Sequence, residues 1–126
     1  MATPVIEDRE LQVMAALATA VAALSIGRPR LLARLLLLDP DEVTGTTRFA
    51  LRLFATRNVW VVWRSLAGDE QVQDAYVPVQ YLDQAVFWGS ALDGSIPKRS
   101  AALTAAVSGV IIAAGRQRAT RPRRTP

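Results

Sequence analysis

The chain contains no histidine and no cysteine. Their absence removes the side chain that most often exchanges protons near neutral pH, the strongest common nucleophile, and the usual ligands of transition metals. It also removes any disulfide framework, so cysteine usage assigns no redox compartment. Aromatic residues are scarce, at 6%. No phosphate-cradling glycine loop, metal-ligand cluster or nucleophile–base pair occurs along the sequence. No cofactor, no metal and no catalytic residue is expected.

What is present in quantity is small and apolar. The longest uncharged runs are Leu11–Gly27 and Ser100–Gly115, both rich in alanine. Wound as helices they cover roughly 25 Å each, the short limit for a bilayer core. The spacing Ala105-x-x-x-Gly109-x-x-x-Ala113 would let two helix backbones approach closely, as membrane helices do where lipid supplies no hydrophobic drive. The same spacing arises easily in any alanine-rich chain.

Charge is unevenly spread. The whole chain carries a formal +4, but up to Gly115 ten basic residues face eleven acidic ones. The surplus comes from Arg116, Arg118, Arg121, Arg123 and Arg124, which have no acid among them. Residues 116–126 are therefore expected to form a disordered tail suited to anionic lipid surfaces. Glu7, Asp8, Arg9 and Glu10 precede the first apolar run and are not the basic opening of a secretory signal. If that run enters a membrane, it should remain uncleaved.

Punctuation divides residues 1–115 into four long helical segments and one short one. The first runs from about Asp8 to Ile26 and stops at Gly27-Arg28-Pro29. Arg30–Leu38 reads as a short amphipathic helix lying at an interface, or equally as a plain surface helix on a soluble bundle. Asp39-Pro40-Asp41-Glu42 offers a cap, a first-turn proline and acids for the second segment, which reaches Ala67. The third is expected from Pro78 to Leu92 with a lead-in from Glu70, because proline suits a first turn or a kink. The fourth follows Pro97 and ends at Gly115. The expected fold is an all-α four-helix bundle, transmembrane, with a short interfacial helix between the first and second long helices.

The second segment distinguishes lipid from water. Arg48 and Arg52 fall on one side of it, Arg57 and Arg64 on the opposite side, and Asn58 on a third. A soluble amphipathic helix gathers its charges on one face. In a bilayer two central arginines would cost about 5–7 kcal/mol, against about 2–4 returned by the apolar residues. This helix needs a partner. The third segment offers Gln80, Asp83 and Gln84 on one stripe, and an antiparallel turn would set Asp83 level with residues 57–64. Asp83 is thus expected to pair with Arg57 or Arg64. The polar seam Arg52, Arg57, Asn58, Arg64, Gln80, Asp83 and Gln84 is the candidate site, either a structural clasp or a binding surface. Trp60, Trp63, Tyr76, Tyr81, Phe87 and Trp88 are expected near the turn joining segments two and three. The acid clusters at Asp8, Asp39 and Asp69 read as helix caps.

The order of these features resembles a family of small, uncharacterised actinobacterial integral membrane proteins with about four helices. The resemblance is carried by the alanine-rich first helix, by Arg28-Pro29-Arg30-Leu31-Leu32-Ala33-Arg34-Leu35, by Thr47-Arg48-Phe49-Ala50-Leu51-Arg52-Leu53-Phe54-Ala55-Thr56-Arg57-Asn58, and by Tyr81-Leu82-Asp83-Gln84. It implies a multi-pass cell-membrane protein and brings no activity with it. Members tend to carry a glycine and an acid around the second arginine, where this chain has Ala55 and Asn58.

Three functions fit. The leading one is a binding or accessory subunit of a larger membrane complex, or a homo-oligomer, in contact with membrane lipids and with a cytoplasmic C-terminus marked by the arginines. The second is a small membrane enzyme, or a lipid- or quinone-binding protein, using Asp83 with Arg52 or Arg57. The third is a soluble helical module whose basic tail binds nucleic acid; beside a membrane domain that partner is not expected.

Overall fold

A computed structural model describes residues 8–121 of the 126. The described chain is all-helical, with five α-helices and no strand: α1 (Arg9–Gly27), α2 (Pro29–Leu35), α3 (Gly45–Leu66), α4 (Glu70–Leu92) and α5 (Lys98–Ala119). The long helices α1, α3, α4 and α5 pack in that order, α5 returning to α1, and each neighbour runs antiparallel to the next.

Local chemistry sets the ends. Asp8, Thr44 and Asp69 each accept a hydrogen bond from a backbone N–H in the first turn of α1, α3 and α4, supplying acceptors for donors that a helix start otherwise leaves unpaired. Asp39 does the same for a single 3-10 turn, Pro40–Glu42. That stretch does not open α3, which starts at Gly45 behind its own cap, Thr44. Pro78 is no helix start either: α4 runs unbroken through it from Glu70. Asp69 fixes that earlier start, because its other carboxylate oxygen is held by Arg64 at the end of α3. At the far end α5 continues past Gly115 to Ala119, so Arg116 and Arg118 stand on a helix and not in a tail. Pro122, Arg123 and Arg124 lie outside the described residues.

The core is narrow. Leu11, Met14 and Ala18 of α1, Tyr76 of α4 and Ile111 of α5 form its buried cluster, with Leu17, Val61, Val62 and Ala114 packed against it. The buried stripe of α1 recurs every three or four residues, through Leu11, Met14, Ala18, Ala22 and Ser25. Among the described glycines the tightest packing is at Gly115, where an added Cβ would collide with Val77 Cγ2 and stand 3.4 Å from Met14 Sδ. Gly109, expected to serve that purpose, has open space where its Cβ would be.

The outside is more apolar than the inside requires. Phe49, Leu53, Trp60 and Trp63 recur along one face of α3, and Leu82, Val86 and Leu92 along α4; all are at least half exposed. Meanwhile Ser25, Asn58, Ser65, Gln73, Ser100 and Ser108 are buried. Trp60 and Trp63 do lie toward the α3–α4 turn, but Trp88 stands near the opposite end of α4 and Tyr76 is buried. By length and composition α1 is the one described helix apolar enough to cross a membrane, a test that core helices and signal sequences also pass.

Candidate functional site: a polar belt across the helices

The site is built at mid-height of α3 and α4. Arg57 follows Gly45 by twelve positions and Asp83 precedes Leu92 by nine, so the antiparallel hairpin sets them level. Arg57 Nη1 donates to Asp83 Oδ1 at 3.1 Å and Nη2 to Asp83 Oδ2 at 3.0 Å. Such two-pronged, charge-assisted pairing is the strongest arrangement open to these groups. The guanidinium also lies over the Phe54 ring, 4.6 Å from its centre. The carboxylate side chain is 13% exposed and the arginine 37%. Arg57 Nε is buried with no hydrogen-bond partner.

At the level of this pair hydrogen bonds also reach both neighbouring helices. Arg57 Nη2 also donates to Asn58 Oδ1 at 3.1 Å, and Asn58 Nδ2 donates to the Ala18 carbonyl of α1 at 3.4 Å. On the other side Ser108 of α5 donates to Gln80 at 2.8 Å. Gln84 donates to the Ala105 carbonyl at 2.9 Å and accepts from Trp88 Nε1 at 3.0 Å. All four long helices are joined at one level.

Five of the seven expected seam residues belong to this belt: Arg57, Asn58, Gln80, Asp83 and Gln84. Two do not. Arg64 pairs with Asp69 at 3.1 Å, within the α3–α4 corner, because its side chain lies nearer the turn than Asp83. That hydrogen bond, with the Val72 N–H, holds the Asp69 carboxyl below its ordinary value of 3.8. Arg52 is exposed and faces the end of α1 across a cleft it shares with Arg28, Arg30 and Arg48.

A second network was not expected from the sequence. At the end where α1 begins and α5 finishes, Arg118 Nε donates to Asp8 at 2.6 Å and Nη2 to Gln73 at 2.7 Å. Gln73 in turn donates to the Ser65 carbonyl at 2.9 Å. Arg118 also meets Asp74 at 3.5 Å, and Arg121 bonds Glu10. Arg118 and Arg121 are thus tied to carboxylates, Arg118 mostly covered and Arg121 half exposed. Arg116 is exposed, near the Tyr81 hydroxyl. The one available signal was the pairing of an acidic helix start with a basic helix end, which antiparallel packing of α1 and α5 brings together.

Chemically the belt is closed. Each Asp83 oxygen accepts one hydrogen bond from Arg57, an arrangement that joins α3 to α4. The chain matches no protein-family profile, no curated protein and no solved structure.

Proposed function

We propose that this chain is a small multi-pass membrane protein, a transmembrane four-helix bundle of the kind seen in the actinobacterial family it resembles, acting as a binding or accessory subunit of a membrane complex. The observation that carries the reading is the inversion of polarity. Large apolar side chains such as Phe49, Leu53, Trp63, Leu82 and Leu92 face outward, while Asn58, Ser108 and the Arg57–Asp83 pair are set inside the bundle beside its narrow apolar core.

Ion placement supports it. Across residues 11–27, 53–63, 75–92 and 100–115 the only ionisable Asp, Glu, Lys or Arg side chains are Arg57 and Asp83, and they neutralise each other. The cost of arginine in α3 is thereby reduced, because Arg48 and Arg52 lie within about 11 Å of its start, where long side chains reach headgroups. Each long helix covers about 28–35 Å, enough to span a hydrocarbon core.

The closed Asp83–Arg57 pair favours a binding role over the enzymatic one, which needs a free acid at that position. The outward faces of α3 and α5 supply surfaces for other membrane helices: aromatic on one, and small on the other through Ala102, Ala106 and Ala113. Carbonate extraction of membranes followed by sizing in mild detergent tests the reading. Retention in the pellet and migration above the size of one chain with its micelle is the expected result. Release into the carbonate supernatant as a folded monomer would end it.

A further inference from the structure

The long helices leave one strongly charged cleft unexplained. It has a volume of about 430 Å³ and lies where the end of α1, the start of α2 and the first half of α3 meet. That size is within the range of small-ligand pockets. Four arginines line it, Arg28, Arg30, Arg48 and Arg52, together with Ile26 and Leu31. No acid lines it. Arg30 is partly engaged, by Asp41 at 3.4 Å and the Pro40 carbonyl at 3.3 Å. Arg28, Arg48 and Arg52 have no carboxylate partner among the described residues.

Like charges gathered without counter-ions repel one another, and an anion in their midst removes that repulsion. Arg48 and Arg52 are one helical turn apart on a single face of α3, and Arg28 faces them from the end of α1. The last carbonyls of α1 add partial negative charge there. Recognition therefore falls to the side chains, whose forked donors match a tetrahedral oxyanion. Ile26 and Leu31 give the cleft an apolar wall beside this polar mouth. A head that is anionic and a body that is greasy would meet both.

We infer that this cleft binds a phosphate group, as carried by an anionic phospholipid headgroup or by free phosphate. The lipid source rests on the membrane reading above; the phosphate chemistry does not. The test uses the full chain in a neutral detergent, titrated separately with dihexanoyl phosphatidylglycerol, dihexanoyl phosphatidylcholine and inorganic phosphate. Binding is read by native mass spectrometry and by the shift in melting temperature. Two double variants are compared, R48Q/R52Q in the cleft and R34Q/R99Q on exposed surface outside it, each losing the same charge.

Phosphatidylglycerol should bind more tightly than phosphatidylcholine, and R48Q/R52Q should weaken it by roughly twenty-five-fold, about fivefold for each arginine. R34Q/R99Q should stay near the unaltered protein. If inorganic phosphate alone gives the same variant pattern and matches phosphatidylglycerol mole for mole, the cleft is a phosphate site and its ligand is free. Equal loss in both double variants, or no response to either anionic probe, overturns the inference. Should carbonate release the protein, the phosphate titration run in plain buffer still decides the cleft on its own.

Discussion

Asp83 is gripped by both terminal nitrogens of Arg57, at 3.1 and 3.0 Å, midway along two antiparallel helices. Removing either partner leaves the other charge without compensation in a half-buried setting. Asp83→Asn and Arg57→Ala should each destabilise by about 2–3 kcal/mol, below the fully buried figure because Arg57 is 37% exposed. Together they should cost less than the sum, with a coupling of about 1–2 kcal/mol. Chemical denaturation of the four proteins in one detergent measures it. Strict additivity would show that the pair does not act as a clasp.

Arg118 gives a contrast with Arg116, two positions earlier on the same helix. The first bonds Asp8, Gln73 and Asp74 and has a side chain 20% exposed; the second is exposed. Arg118→Ala should cost on the order of 2–4 kcal/mol by stranding a carboxylate that is itself 6% exposed. Arg116→Ala should stay within about 0.5 kcal/mol. A loss at Arg118 as small as that at Arg116 would mean that the Arg118 network does not hold α5 to α1.

How far the sequence led depends on how local each feature is. The Asp83–Arg57 pair was legible because a short turn joins its helices, and register can be counted outward from Gly68-Asp69. The Asp8–Arg118 pair was not, since its members stand 110 positions apart and arginines beyond Gly115 read as a solvated tail. Pro78 was misplaced for a similar reason. Proline is expected to interrupt a helix, yet α4 is held on both sides of it, by the Asp69 cap and the packing of Val77 on Gly115 before, and by the bonds of Asp83 to Arg57 and of Gln84 to Ala105 after. The small-residue spacing at Gly109 pointed to close packing that the fold makes one and a half turns later.

That displaced contact makes a paired prediction. Gly115→Ala drives a methyl into the branched side chain of Val77, which has few rotamers to turn to, and should destabilise by about 1–3 kcal/mol. Gly109→Ala meets open space and should gain about 1 kcal/mol of helix propensity. Combining Gly115→Ala with Val77→Ala should recover part of the loss. Thermal melts of the three variants suffice, and a stabilised Gly115→Ala would refute the close approach.

Leu37 has φ +60°, in the left-handed region. It closes α2 in a Schellman arrangement: its own N–H bonds the Arg34 carbonyl at 3.1 Å and the Leu38 N–H bonds Ala33 at 2.8 Å. Glycine usually holds this position, because a Cβ there meets the following carbonyl. Leu37→Gly should stabilise by about 1 kcal/mol while keeping the carbonyl that Ser100 donates to at 3.1 Å. A melting temperature at or below that of the unaltered protein would show that the leucine side chain contributes more than its backbone costs.

The Arg64–Asp69 corner predicts the acid limb of the stability curve. The Arg64 side chain first, and the Val72 N–H second, hold the Asp69 carboxyl below 3.8; Ser95 does the same for Asp93. A depressed folded value means that the contribution is complete above the ordinary carboxylate range and is lost as pH falls through the folded value. Stability should therefore decline below about pH 4. Asp69→Asn keeps an acceptor for the cap but offers Arg64 no charge. It should be less stable than the unaltered chain at about pH 7 and should lose less on acidification to about pH 3. Melting temperatures across that interval decide the matter: parallel curves for the two proteins would mean that the Asp69 charge contributes nothing to holding α3 against α4.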